Sequence, residues 1–156
     1  RRPAETAGAF SGDGWLRSGD IGYRDEDGYF YVVGRLKEMF ISGGENVYPA
    51  KVEQAILGHP DVLEAAVVAR ADRRWGEVGV AYVRARPGRD LPSAHALEVF
   101  CRERLAPCEV PAVFVAVTDF PRTAAGKIQK HRLAEAAPAV PSPASGSAGA
   151  GVQGER

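Results

Sequence analysis

The sequence predicts an α+β fold: a small three-stranded sheet with helices packed on one face, preceded by β-hairpins and a hinge. Three observations lead there. Aromatic and β-branched residues bracket an Asp-Gly turn early in the chain. Two amphipathic helical patterns then alternate with three apolar runs. The resulting order, β-α-β-β-α-β with short connections, is that of a small α/β sandwich.

Residues 1–13 are polar, rich in Gly and Ala and without periodicity, so an irregular segment is expected. Residues 14–36 hold the hairpin, with extended runs at 22–24 and 29–33 around the turn Asp25-Glu26-Asp27-Gly28. Gly34-Arg35-Leu36-Lys37-Glu38 breaks it, and a second extended run covers 39–42. Residues 49–57 read as a helix, because Pro49 suits the first helical position and Val52, Ala55 and Ile56 share a face. Gly58 and His59-Pro60 end it. Strands at 63–69 and 78–86 flank the loop Asp72-Arg73-Arg74-Trp75-Gly76. Ser93 caps a second helix with Leu97, Phe100, Cys101 and Leu105 on one face. A strand at 113–117 and a short basic helix at 126–133 follow. Residues 134–156 are Ala, Pro, Gly and Ser with almost nothing to bury, so disorder is expected.

Composition narrows the function. Lys+Arg and Asp+Glu are equal at 20 each, which argues against a general nucleic-acid binder. An apolar share of 45% suffices for a core, yet no run is long enough for a membrane span and no secretory signal opens the chain. Cys101 and Cys108 are too few for a disulfide scaffold and wrongly spaced for zinc. Cys101 on an apolar face reads as a buried thiol in a reducing, cytoplasmic compartment. The start at Arg1 and the lack of a core pattern before residue 14 suggest part of a longer protein.

Four clusters can carry chemistry. Gly43-Gly44, after an apolar run, allows a sharp turn or the close approach of a ligand; alone it is a tight connection. Asp20 beside Gly19 can reach two adjacent hydroxyls, as on a ribose, or simply close a turn. Arg35 offers a fork of donors for a phosphate or ribose oxygen, or is solvated. Lys37 sits at a break between extended segments, where chains hinge. Thr123-Ala124-Ala125-Gly126-Lys127-Ile128 fails as a P-loop, since Pro121 and Ile128 stand where Gly and Ser or Thr are needed. What remains is Lys127 in a Gly-containing loop, able to deliver a compact positive charge. Arg122, Lys130, His131 and Arg132 read as a solvated helix face. His59, His95 and His131 are too scattered for a metal site or a Ser-His-Asp relay. Trp75 is either plain packing or a platform for an extended ligand.

Taken together, the motifs resemble the C-terminal part of the acyl-activating, adenylate-forming enzymes, in the acid–CoA ligase branch. The resemblance rests on Gly14-Trp15-Leu16-Arg17-Ser18-Gly19-Asp20, Gly34-Arg35-Leu36-Lys37-Glu38, residues 41–49, Arg74-Trp75-Gly76-Glu77 and residues 121–127, in that order. It implies that 14–36 ends a large N-terminal domain and that 37–133 is the mobile C-terminal lid. It implies a two-step reaction in which ATP and a carboxylic acid give acyl-AMP, and coenzyme A then displaces AMP. By resemblance Asp20 holds the ribose hydroxyls and Arg35 the ribose and phosphate, Lys37 is the hinge, and Lys127 is the catalytic lysine. Gly43, Gly44, Glu45 and Trp75 fall beside the CoA channel, and the magnesium site belongs to the large domain. Two departures stand out. Gly34 replaces an Asp common in relatives. Cys108-Glu109-Val110-Pro111 replaces an aromatic-Lys-Val-Pro segment, a change expected to weaken binding of an anionic cofactor and to leave the acceptor thiol open. Without the large domain the chain is expected to be inactive. A non-catalytic binding module that kept the fold is the alternative.

Overall fold

The computed structural model describes residues 2–138. Helix α1 (Pro3–Gly8) precedes a hairpin of β1 (Asp20–Arg24) and β2 (Phe30–Arg35). Strands β3 (Phe40–Ser42) and β4 (Glu45–Val47) lead into helix α2 (Pro49–Leu57). Strands β5 (Val62–Asp72) and β6 (Gly76–Ala85), helix α3 (Ala94–Arg102), a 3₁₀ turn (Pro107–Glu109), strand β7 (Val113–Ala116) and helix α4 (Lys130–Glu135) complete it.

The main sheet has five strands, not the expected three. Its order is β4-β3-β6-β5, and β7 also pairs with β6. The additional strands arise because Gly43 and Gly44 both take positive φ, 60° and 90°, which reverses the chain within two residues. Phe40 then faces Val47 and Ser42 faces Glu45 across an antiparallel pair. At three residues each, β3 and β4 are too short to show an alternating pattern.

Helices cover both faces of the sheet, which corrects the one-face expectation. On one face, Val52 and Ile56 of α2 and Leu97 and Cys101 of α3 pack on Val67, Ala81 and Val83. The next residues along the same strands, Ala66, Val68, Val80 and Tyr82, point the other way. There they meet Phe120, Leu133 and Ala137, and the buried Tyr82 hydroxyl donates to the Leu133 carbonyl at 2.9 Å. Burial pushes the Cys101 thiol up to about 11, in keeping with its expected role as a core residue.

Two terminal expectations also change. Residues 3–8 are helical, with Pro3 in the first turn and Arg2 paired to Glu5 at 3.1 Å. Nothing in α1 is buried, so the segment lacks the apolar face by which a helix is recognised. At the other end α4 runs to Glu135 and Ala137 is buried, so ordered structure extends past residue 133. The remainder of the expected disordered tail, 139–156, lies outside the described residues.

Among the described residues no helix is long and apolar enough to cross a membrane. One ion pair ties the helical layer to the 3₁₀ turn. Lys51 of α2 reaches both carboxylate oxygens of the buried Glu109, at 2.6 and 2.8 Å, and Glu109 also accepts the Ala106 N–H at 3.0 Å. The Glu109 charge is therefore matched from within the fold rather than presented to solvent. Lys51→Met and Glu109→Gln should each cost about 1–3 kcal/mol in denaturant unfolding, and the double variant less than their sum. Additive losses would show that the two side chains act independently.

Candidate functional site

Asp20 and Arg35 face each other as the terminal residue pair of the β1–β2 hairpin. Arg35 Nε lies 2.9 Å from Asp20 Oδ1, and both side chains remain partly open to solvent. The ladder runs one rung further, with Leu36 N–H donating to the Gly19 carbonyl at 2.8 Å. An acceptor carboxylate and a fork of spare N–H donors are thus presented side by side, a set suited to a diol next to a phosphate.

Immediately after this pair the chain turns. The N–H groups of Glu38 and Met39 donate to the Arg35 carbonyl at 3.0 and 3.1 Å, enclosing Leu36 and Lys37. Lys37 is exposed and has no ion-pair partner among the described residues. Glu38 instead meets Lys130 at 2.5 Å, and Lys130 meets Glu53 of α2 at 2.8 Å. Glu53 accepts the N–H of Val67 on edge strand β5 at 2.7 Å. Burial raises the Glu53 carboxyl above its ordinary value, against the pull of Lys130. Burial alone would lower Lys130, but Glu53 and Glu38 more than offset it, and its pKa is raised. Lys130 is therefore not part of a solvated face. No spacing in the sequence links residues 38, 53 and 130, so only the fold reveals this network.

Lys127 stands on a tight turn closed by the Arg122–Ile128 bridge. Thr123 N–H donates to the Lys127 carbonyl at 2.8 Å, and Lys127 N–H to Thr123 Oγ1 at 3.2 Å. Arg122, also read from sequence as solvated, braces this turn: its guanidinium donates to the Gly126 carbonyl at 3.0 Å and pairs with Glu64 of β5. Arg84 holds the same carboxylate at 2.8 Å. The Arg122 hydrogen bond is the main cause that holds Glu64 below its ordinary value, opposed by partial burial and helped by Arg84. The Lys127 side chain itself is exposed and without an ion-pair partner among the described residues. With Lys37, Phe40, Glu77 and His131 it lines a cleft of about 620 Å³. The two lysines singled out in the sequence thus share one cleft.

The Gly43-Gly44 turn lies against Trp75. Gly43 N–H donates to the Trp75 carbonyl at 2.9 Å, and a Cβ on Gly43 would sit 2.7 Å from Trp75 Cε3. At Gly44 a Cβ would meet open space. Trp75 is 44% exposed, with the Arg74 guanidinium 5.1 Å from its ring centroid. Glu45 follows at the exposed start of β4. The indole therefore packs on the turn and still presents surface. Among the described residues no group of three His, Cys, Asp or Glu side chains could hold a metal ion.

Residues 51–127 match the family of the AMP-binding enzyme C-terminal domain. That segment of the chain belongs to the family. A 2-succinylbenzoate–CoA ligase of Geobacillus kaustophilus is 50% identical over 133 residues, covering 85% of this chain and 27% of that protein. The o-succinylbenzoate CoA synthetase of Bacillus subtilis, solved with its acyl-adenylate intermediate, superposes with a TM-score of 0.75 at 42% identity over 81% of this chain and 25% of its own. An amide bond synthetase of Marinactinospora thermotolerans gives 0.78 at 40% identity over 85% and 27%. This AMP-binding C-terminal domain and its flanking segments span about a quarter of the length of these relatives.

Two measurements check the geometry. Gly43→Ala should destabilise the chain by about 1–3 kcal/mol, from positive φ and the indole contact together. Gly44→Ala pays only the backbone strain, about 1–2 kcal/mol. Trp75→Ala should bring the two glycine variants level, and a greater loss at Gly44 would contradict the packing. Glu64, whose folded pKa is lowered, stabilises fully above its ordinary value of 4.5 and progressively less as pH falls below it. The melting-temperature gap between wild type and Glu64→Gln should therefore narrow below about pH 4.5, and a constant gap would remove the ion-pair explanation.

Proposed function

We propose that this chain is the C-terminal part of an ATP-dependent acid–CoA ligase, with residues 14–36 ending the large domain and 37–133 forming the lid. In the first half-reaction an acid carboxylate oxygen attacks the α-phosphorus of ATP and pyrophosphate leaves. Asp20 accepts from the ribose hydroxyls and Arg35 donates to ribose and phosphate oxygens. Lys127 places its ammonium against the charge that builds on the phosphoryl oxygens and the attacking carboxylate, a contribution of about 2.7–4 kcal/mol by analogy with a single oxyanion donor. In the second, the lid turns about Lys37 and the coenzyme A thiol displaces AMP at the acyl carbon. The Gly43-Gly44 turn, Glu45 and Trp75 then border the pantetheine arm. Magnesium, the triphosphate grip and the acid pocket are assigned to the large domain, the partner this chain requires. A cytoplasmic setting fits a chain whose cysteines are both free.

The observation that supports this reading is one arrangement: a paired Asp20–Arg35 clamp on one side of the Lys37 turn, and an exposed, firmly braced Lys127 on the other. The inward pairing of Glu109 with Lys51 offsets that carboxylate's charge, while Cys108 and Glu109 still stand where relatives carry an aromatic and a lysine. A second reading concerns the acceptor. An amide bond synthetase shares this fold, so an amine in place of the thiol is the alternative in the second step.

The purified chain alone should show no acid-dependent ATP–pyrophosphate exchange, and robust exchange would refute the division of labour. Joined to a matching large domain, the wild-type chain should form thioester. Lys127→Ala should lose about 10²–10³-fold in adenylation while still converting preformed acyl-adenylate. Equal adenylation by both proteins would remove the assigned role of Lys127.

A further inference from the structure

Just beyond the Lys37 turn, three charges converge from distant parts of the chain. Lys130 opens α4, three residues after Lys127, and its ammonium lies 2.5 Å from Glu38 and 2.8 Å from Glu53. Side-chain exposures of 23%, 38% and 16% for Lys130, Glu38 and Glu53 shelter the group from bulk solvent more than a surface pair. Glu53 is in turn anchored to the sheet through the Val67 N–H. Glu38 has a second attachment on its other side, where its N–H and that of Met39 donate to the Arg35 carbonyl.

These two attachments behave differently if the chain bends at Lys37. The bonds to the Arg35 carbonyl span the bend and must break. The bonds from Lys130 to Glu38 and Glu53 all lie beyond it and survive. We propose that Lys130 is a positioning residue: it makes Glu38 the first rigid residue past the hinge, and so fixes the Lys127 loop relative to the axis of rotation. Bending is confined to Leu36-Lys37 instead of spreading through Met39. The Lys127 ammonium then returns to one orientation after each turn of the lid, which matters because small misplacements of a reacting group are costly in rate. This inference rests on the functional reading above only for the roles of Lys37 and Lys127; the latch itself is a property of the chain.

Amide hydrogen exchange on the whole chain tests the latch directly, since the Glu38 and Met39 amides report closure of the turn. Lys130→Met should speed exchange at both about tenfold, leaving the amides bonded across the β5–β6 ladder unchanged; Val67, whose N–H donates to Glu53, is not among these. Lys130→Arg should stay within about threefold of wild type, because it keeps a cation for both carboxylates. Glu38→Gln, at the more exposed end, gives the same expected gain in exchange with little risk to folding. Unchanged amides in both Lys130→Met and Glu38→Gln would overturn the proposal. In the chain joined to a large domain, Lys130→Met should lower kcat for adenylation with little change in KM for ATP, and Lys130→Arg should recover it. Faster amides with an undiminished kcat would overturn the link to Lys127. Faster amides in a hybrid whose wild type catalyses no exchange would refute the enzymatic reading and leave the latch standing.

Discussion

The whole arrangement hangs on one strand. β6 is paired along its length with β5, while its other edge is divided between two neighbours. Gly76 at its start meets Ser42 of β3, and Val80–Val83 meet β7 in parallel. A strand has only two edges, so the short contact with β3 and the longer one with β7 must share the same row of N–H and C=O groups. That constraint decides where the segments of the candidate site go. β3 follows directly from the Lys37 turn, and β7 leads into the Lys127 loop. Both leave from the same side of β6, which is why two lysines ninety residues apart in the chain line a single cleft.

The parts legible in the sequence were those with a local physical signature. The first hairpin follows from Asp27-Gly28 between aromatic runs, α2 from Pro49 and its apolar face, and β5 and β6 from long apolar runs with a loop between them. Elements without such a signature were missed. β4 is three residues of mixed polarity, and it exists only because two glycines bend back a strand that is itself short. The second layer was missed because Leu133 and Ala137 sit among basic and small residues, where a single large apolar group marks no face.

The candidate site was legible in a different way. Asp20, Arg35, Lys37, Gly43 and Lys127 are each unremarkable alone, and gained meaning from their order along the chain. Order says what is present but not what supports it. Arg122 and Lys130 looked like two more charges on a basic helix. In the fold one holds the carbonyl just before Lys127, and the other reaches across to α2 and the turn after Arg35. Glu109 shows the same limit. Its sign was visible in the sequence, but its direction, inward to Lys51, depends on a helix 58 residues away.

The contact between Trp75 and Gly43 has an optical consequence. The chain holds two tryptophans, Trp15 before the Lys37 turn and Trp75 after it. Trp15 is 75% exposed, whereas the Trp75 ring is pressed on a glycine backbone with an arginine nearby. Each side of the Lys37 turn therefore carries its own indole, in a different dielectric setting. Intrinsic emission from these two rings offers a label-free readout for the proposed movement about the turn, written into the native residues.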